Sequence, residues 1–401
     1  MAGVLGASVS FALSSQAHTN QTPAFAHRVA GFRLRAIRRG ISEATYDRVM
    51  NAVAPDTDVY EQQRAQPEFT EQVWQYINRR CSDWRVITGK ESAHKNADLL
   101  TRLEKDYGVD RYTLLGLWGM ESSFGDVITN PKYMRPVIPA LAALAFGEPR
   151  RRAYWESELL NALVIVDKGW SQPGDMIGSW AGAMGHTQWM PEVWLNMGVD
   201  YDRDGRVTPF GKPDDSLAGT ARYLVERGKY RRGEAWGCEV KLPAGQSRLA
   251  NNRTMRSYAK WQELGVHRAD GAVYARPNDQ VKLWQPVGSG PAFLVGQNFR
   301  AVYSYNPSTS YTLALVHLGD LIRGDPPFHQ QFPGGERTPT LNEVKEIQRR
   351  LNELGFKTDG IDGRTGSDTV KAILAFQKKV GMEPADGYAG LKVLARLRQG
   401  S

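Results

Sequence analysis

A lone carboxylate ends an apolar run in Leu114-Leu115-Gly116-Leu117-Trp118-Gly119-Met120-Glu121-Ser122-Ser123-Phe124-Gly125. At a helix end beside Trp118 and Phe124, the Glu121 carboxyl is expected to be partly desolvated. Desolvation raises its pKa towards what a general acid needs at neutral pH, as in glycosidases. A carboxylate at a helix C-terminus also opposes the helix dipole, which favours a chemical role. The same residues admit a second reading, a solvent-exposed glutamate at a helix terminus. A further cluster follows in Ser179-Trp180-Ala181-Gly182-Ala183-Met184-Gly185-His186-Thr187-Gln188-Trp189-Met190-Pro191. Its small residues let backbone approach a ligand closely. Ser179, His186 and Gln188 offer polar contacts there, and Trp189 offers a stacking face for a sugar ring. Tight helix packing around small residues is the alternative. Asp200-Tyr201-Asp202-Arg203-Asp204-Gly205-Arg206 opens like an EF-hand calcium loop, with carboxylates at positions 1, 3 and 5, glycine at 6 and the Arg206 carbonyl at 7. Gly211 stands at position 12, where an EF-hand has glutamate. The other reading is an Asp-Gly turn closed by its own side chains.

These groups need a helical frame, and the hydrophobic spacing provides one. Residues 23 to 235 are mostly helical in pattern, with 3.6-residue periodicity over 41–51, 71–80, 96–107, 111–120, 137–144 and 151–166. From Cys238 to Tyr305 the texture alternates, in Val240-Lys241-Leu242, Gln280-Val281-Lys282-Leu283-Trp284 and Ala301-Val302-Tyr303, which predicts a few strands. Residues 324–340 hold four prolines and three glycines among polar residues and read as a linker without helix or strand. Beyond it Leu341, Val344, Ile347, Leu351 and Leu354 recur at helical spacing, with Gly355 placed as a C-cap. The turn Asp359-Gly360-Ile361-Asp362-Gly363 and two further apolar-periodic segments complete a small three-helix module over 341–401. The fold class is mainly α (α+β), an α-rich catalytic region with a small β element followed by that module.

Composition narrows the chemistry. The 401 residues carry a net charge of +8, which suits a polyanionic partner. Arg33 to Arg39 is the densest basic patch and reads as the solvated face of a helix. Cys81 and Cys238 are too few for a disulfide framework, and two buried thiols are favoured over one bridge. No His-Glu-x-x-His, Gly-x-Ser-x-Gly, Walker-type or Gly-x-Gly-x-x-Gly motif occurs, which removes the main support for zincin, esterase, nucleotidase and dehydrogenase readings. No aromatic-basic motif points to nucleic acid. The longest apolar stretches fall short of the roughly 20 residues of a membrane helix, so no integral membrane segment is expected. Residues 1–22 open with an apolar, small-residue stretch ending Ser15-Gln16-Ala17, which resembles a signal peptide but has no basic residue before Arg28.

The motifs around Glu121 and Gln188, with Asn298-Phe299 and Tyr305-Asn306-Pro307-Ser308-x-x-Tyr311, strongly resemble the lytic murein transglycosylase B family. Gln66-Pro67-Glu68-Phe69 and Gly108-Val109-Asp110 fit the same pattern. The resemblance spans residues 25 to 323, and the C-terminal module independently resembles a peptidoglycan-binding domain. It implies a lysozyme-like catalytic region over 23–323, a linker over 324–340 and a wall-binding module over 341–401. Glu121 would be the catalytic acid and base in a non-hydrolytic cleavage that leaves 1,6-anhydromuramoyl ends. Ser179, Gln188, Tyr223, Tyr305, Asn306 and Tyr311 would line the substrate cleft. His186 and Trp189 stand where the family more often has other residues. Some members of the family close such a loop with a later aspartate, so here Asp215, or its rival Asp214, would complete the set of Asp200, Asp202, Asp204 and Arg206, and any calcium held there would be structural. Catalysis itself would need no cofactor. The expected partner is the glycan strand of peptidoglycan, and the expected location is the periplasm.

Overall fold

The computed structural model describes residues 22–64 and 71–400. Apart from Thr22, the leader over 1–22 lies outside these residues, as does Gln66-Pro67-Glu68-Phe69. In chain order the first helices are α1 (Pro23–Arg38), α2 (Glu43–Met50), α3 (Val59–Arg64), α4 (Val73–Arg80), α5 (Asp83–Lys95), α6 (Ala97–Tyr107) and α7 (Arg111–Ser122). Then follow β1 (Arg135–Pro136), α8 (Val137–Gly147), α9 (Arg152–Asp167), β2 (Ile177–Gly178), α10 (Pro191–Met197) and α11 (Asp214–Glu226). A β-rich stretch contains β3 (Gly237–Lys241), β4 (Asn251–Ser257), α12 (Tyr258–Glu263), β5 (His267–Arg268), β6 (Gln280–Trp284) and β7 (Ala292–Val295). The remainder is α13 (Gln297–Tyr305), α14 (Thr309–Arg323), α15 (Leu341–Glu353), α16 (Ser367–Lys379) and α17 (Leu391–Arg398). The protein is therefore mainly α-helical with small sheets and three additional C-terminal helices.

Local chemistry starts the helices where it should. Thr22, Ser42, Ser82 and Asp110 each accept a hydrogen bond from an early amide of the helix that follows. Thr340 and Glu343 form a reciprocal capping box on α15. The helices bury two large cores. One joins α4, α6, α7, α11, α13 and α14, and the other joins α1, α2, α8, α9 and α10. The antiparallel five-stranded sheet, ordered β4-β6-β7-β3-β5, packs a third core against Trp261 of α12. Helices α15 to α17 enclose a fourth around Ile347, Ile373, Phe376 and Leu394. The basic stretch of α1 is solvated as expected, and Arg33 pairs with Glu43 and Asp47 at 2.8 and 2.9 Å. Cys81 and Cys238 are separate buried thiols. Among the described residues no helix is long and apolar enough to cross a membrane.

Two expectations change. Ala301-Val302-Tyr303 was expected to be a strand and instead lies in α13. Its helix buries Asn298, whose amide donates to the carbonyls of Arg231 and Glu234, together with Phe299 and Val302 one turn apart. A three-residue alternation cannot distinguish the two periods. Residues 324–340 form neither helix nor strand, but they are strapped to the body. Phe328 stacks on His317 at 3.7 Å, Phe332 is buried, and Glu336 accepts from the Leu391 amide at 2.5 Å. The C-terminal helices are held against the larger body as well. Gln75 donates to Asp386 at 2.6 Å, Trp74 meets Tyr388 edge-on at 5.0 Å, and Lys132 bridges Asp359 and Asp368.

The contact between α7 and α14 is set by two glycines. A Cβ on Gly116 would lie 2.4 Å from the Leu315 carbonyl oxygen, and one on Gly319 would lie 2.5 Å from that of Tyr112. The helix backbones touch there directly. Gly116→Ala is expected to lower unfolding free energy by about 1–3 kcal/mol through overpacking. Gly31→Ala, in α1 with open space around it, should instead stabilise by about 0.5–1 kcal/mol. Urea titration of the two variants against the parent measures both.

Candidate active site

Helix α7 delivers Glu121 in its last turn, half-buried, and the chain then leaves the helix abruptly. Ser123, Phe124 and Gly125 follow with φ of 52°, 61° and 90°. Left-handed backbone at non-glycine residues costs of order 1–3 kcal/mol each and needs support from its surroundings. Here the Phe124 ring packs on Gly119 and meets Trp118 edge-on at 5.7 Å. The Ser122 hydroxyl accepts the Gly125 amide at 2.9 Å. The sharp exit keeps Glu121 at the end of a rigid apolar helix.

One tyrosine hydroxyl meets that carboxyl, and two further tyrosines pack nearby in the chain's fold. Tyr311, on the first turn of α14 and 4% exposed, donates its hydroxyl hydrogen to Glu121 Oε1. Tyr305, at the end of α13, donates to the Thr187 carbonyl at 2.5 Å, and Tyr223 of α11 meets the Tyr305 ring edge-on at 5.1 Å. Burial first, then the Glu121 charge, pushes the Tyr311 and Tyr305 hydroxyls above the ordinary tyrosine range. Both therefore stay protonated and act as donors. The carboxylate nearest in sequence, Asp126, is exposed and ion-paired at 2.5 Å to Arg364 of the C-terminal helices.

The other candidate residues occupy varied positions. Gln188 is half-exposed at φ 53° beside Thr187, and its side-chain amide donates to the Gly185 carbonyl at 3.0 Å. Ser179 Oγ accepts the Ala183 amide at 3.2 Å and closes the turn that leads to Gly182. Asn306 sits in extended backbone between α13 and α14. Trp189 is not a stacking face. It is fully buried, its indole donates to Thr220 Oγ1 at 3.0 Å, and Met184 pairs with it across an isolated β-bridge. Small residues around it, Gly219 among them, serve packing, as the plainer reading of that segment had it.

In the acidic loop, carboxylate oxygens of Asp200, Asp202 and Asp204 lie within 4.8 Å of one another, a donor set that fits a hard divalent cation. Asp200 also accepts the amides of Asp204 and Gly205, Asp204 accepts that of Arg206, and Lys212 pairs with Asp202 at 3.1 Å. Asp215 is buried, and its two oxygens accept the amides of Tyr201 and Thr208 at 2.8 and 3.0 Å, so it staples the two sides of the loop. The Asp-Gly turn bonds and the three-carboxylate cluster are thus present together.

The sequence pattern of the transglycosylase SLT domain matches residues 24–320, and that of a putative peptidoglycan-binding domain matches residues 340–397. The chain belongs to the transglycosylase SLT family. SltB3 from Pseudomonas aeruginosa, crystallised with NAG-anhNAM-pentapeptide, is 38% identical; the match covers 94% of this chain and 100% of that one, with a TM-score of 0.73. SltB1 from the same organism is 26% identical over 74% of this chain and 98% of its own, with a TM-score of 0.64. The membrane-bound lytic murein transglycosylase B of Escherichia coli K12 is 28% identical over 69% of this chain and 73% of its own length.

In this transglycosylase the residue that ties the site together is His186, which the sequence offered as a polar contact with packing as the alternative. It is buried. Trp118 Nε1–H donates to its Nδ1 at 3.1 Å, its Nε2 meets the Gly211 carbonyl at 2.8 Å, and its own carbonyl accepts the Ser122 hydroxyl at 2.6 Å. An indole only donates and a carbonyl only accepts, so the ring is neutral with its hydrogen on Nε2. His186 thereby braces α7 three residues before and one residue after Glu121, and links it to the acidic loop. The available signal was Trp118, whose buried indole requires an acceptor.

Burial holds the His186 pKa below its ordinary value, with the Gly211 carbonyl opposing the shift. A depressed pKa contributes stability that is present above the unfolded value and lost as pH falls through the folded one. Stability of the parent should therefore decline as pH drops below about 6.5. His186→Phe is expected to lose about 1–3 kcal/mol at neutral pH yet to show a shallower acid decline. Urea denaturation of both proteins at neutral and acidic pH is the measurement.

Proposed function

We propose that this protein is a peptidoglycan lytic transglycosylase whose Glu121 carries both proton transfers. The enzyme cleaves the β-1,4 bond between N-acetylmuramic acid and N-acetylglucosamine without water and leaves 1,6-anhydromuramoyl ends. Glu121 first gives its proton to the glycosidic oxygen as the C1–O bond breaks. It then takes the proton of the muramoyl C6 hydroxyl as that oxygen bonds to C1. The observation that carries this reading is the Glu121 carboxyl at the end of an apolar helix held by the Tyr311 hydroxyl, while the neighbouring Asp126 is ion-paired to Arg364. Hydrolytic glycosidases use two carboxylates, one for the leaving group and one for water or covalent attack. An internal hydroxyl nucleophile removes the need for the second. Membership in the SLT family, and the anhydro-sugar named in the complex of SltB3, support the same chemistry.

Ser179, Gln188, Tyr223, Tyr305, Asn306 and Tyr311 are our candidates for contacts to the sugars. Tyrosines suit amino-sugars because each joins an apolar face to a hydroxyl. Residues 341–401 form the wall-binding module, 324–340 its strap and 23–323 the catalytic region. The substrate places the enzyme's work in the bacterial cell envelope, and residues 1–22 are our candidate for the export signal. Asp200, Asp202, Asp204 and the Arg206 carbonyl would hold calcium, with Asp215 closing the loop around it through the backbone it staples. The ion would supply rigidity, transmitted to α7 through the Gly211–His186–Trp118 bonds.

Glu121→Gln is expected to lower turnover of purified peptidoglycan by at least about 1,000-fold, in the range for losing a transition-state proton donor, while binding to sacculi persists. Mass analysis of the parent's products should give anhydro ends; water-adduct ends would overturn the transglycosylase reading. Calcium at about 100 times its Kd should stabilise the protein by about 2.7 kcal/mol, read as a raised melting temperature that a chelator reverses. Asp202→Asn should abolish the response.

A further inference from the structure

Arg85 lies in the first turn of α5, where the helix dipole disfavours a cation. No carboxylate compensates for it: among the described residues Arg85 has no ion pair, and Arg80 and Arg364 add positive charge around it. Its Nε is enclosed and has no hydrogen-bond partner. Burial first, then Arg80, holds its pKa down to about 10, so the group stays charged at neutral pH. An enclosed cation without an acid is costly, and its place is explained by what the rest of the guanidinium meets.

That group joins the C-terminal ends of two other helices. Nη1 donates to the carbonyls of Arg79 and Arg80, the last residues of α4, at 3.1 and 2.9 Å. Nη2 donates at 3.3 Å to the hydroxyl of Ser123, the left-handed residue that caps α7. The last carbonyls of a helix lack partners within it and form its negative pole. One fork therefore satisfies the end of α4 and ties the end of α7 to it. One turn further along α5, Gly89 makes room for the Phe124 ring, since a Cβ there would lie 2.9 Å from the ring's Cζ. Residues four apart share a helix face. Arg85 and Gly89 thus set one face of α5 against Ser123 and Phe124, the two consecutive left-handed residues by which the chain leaves the Glu121 turn. His186 is bonded to Trp118 and Ser122, so its contacts do not duplicate the bond to Ser123.

We propose that Arg85 is a positioning residue for Glu121. By holding Ser123 against the end of α4 it fixes the direction in which the last turn of α7 presents the carboxyl. The inference rests on the proposed acid role of Glu121 and adds a residue from α5, an element that supplies none of the candidate sugar contacts. Small displacements of a catalytic group are expensive, because the reacting atoms must meet within a narrow range of distance and direction.

The test uses the full chain and soluble glycan strands from purified peptidoglycan. Arg85→Gln should lower kcat about 10- to 100-fold with KM unchanged, at a temperature where circular dichroism shows the variant folded. Ser123→Ala removes the acceptor and should lower kcat too, and the double variant should be no slower than Arg85→Gln alone. Lys90→Gln, on the exposed side of α5, should leave kcat and KM as they are. An unchanged kcat in Arg85→Gln, a raised KM in place of a lowered kcat, or a double variant slowed by the product of the two single effects would overturn the proposal. If Arg85→Gln folds poorly, Arg85→Lys takes its place in the cycle, because a single ammonium cannot span α4 and Ser123. Glu121→Gln is measured in parallel. Full turnover by that variant would count against the acid assignment, whereas its loss beside an unaffected Arg85→Gln counts against Arg85 alone.

Discussion

The direct backbone contact of α7 with α14 is the constraint on which the site depends. Gly116 against the Leu315 carbonyl and Gly319 against that of Tyr112 allow the helices to approach closer than any side chain would permit. This approach brings the Tyr311 hydroxyl, on the first turn of one helix, to the Glu121 carboxyl on the last turn of the other. The buried residues of both helices, among them Leu114, Leu117, Leu315 and Leu318, make the contact part of the largest helical core, so the donor and the acid cannot drift independently. Preorganisation of this kind would let the Glu121 carboxyl serve the two proton transfers proposed for it without searching for its geometry.

A second set of interactions braces that pair from the side. The left-handed exit after Glu121 is strained backbone, and it is held by Ser122, Phe124 and the neutral His186 ring. The same histidine reaches the acidic loop through the Pro209 and Gly211 carbonyls. Rigidity in a loop at the surface is thereby coupled to the end of α7 through buried hydrogen bonds, which are costly to leave unmade.

The C-terminal helices extend the same logic. Their strap is anchored by buried aromatics, and Arg364 lies 4.3 Å from the Trp84 ring while pairing with Asp126, five residues beyond Glu121 in the chain. The exposed ion pairs among these contacts contribute little individually. The aromatic and amide contacts at Trp74, Gln75, Asn78 and Tyr388 provide the larger share of the docking. A wall-binding module fixed in this way would hold glycan at a set distance from the acid.

Much of this was written locally. Helix period, caps and the apolar run before Glu121 specified α7, and the resemblance of the motifs singled out its carboxyl and three tyrosines as candidates, because a short contiguous pattern carries both chemistry and placement. The lack of helix and strand over 324–340 and the three-helix module were legible for the same reason, whereas the packing of 324–340 against the body was not. Tertiary structure alone decided that Trp189 is core, that Ala301 to Tyr303 are helical, that polar β4 is an edge strand and that His186 braces rather than binds. Each of these depends on what a residue meets from a distant part of the chain: Thr220 for Trp189, Arg231 and Glu234 for Asn298 of α13, β6 for β4, and Trp118 with Gly211 for His186. Local periodicity determines which face is apolar, whereas burial and hydrogen-bond partners are set only when separate segments pack together.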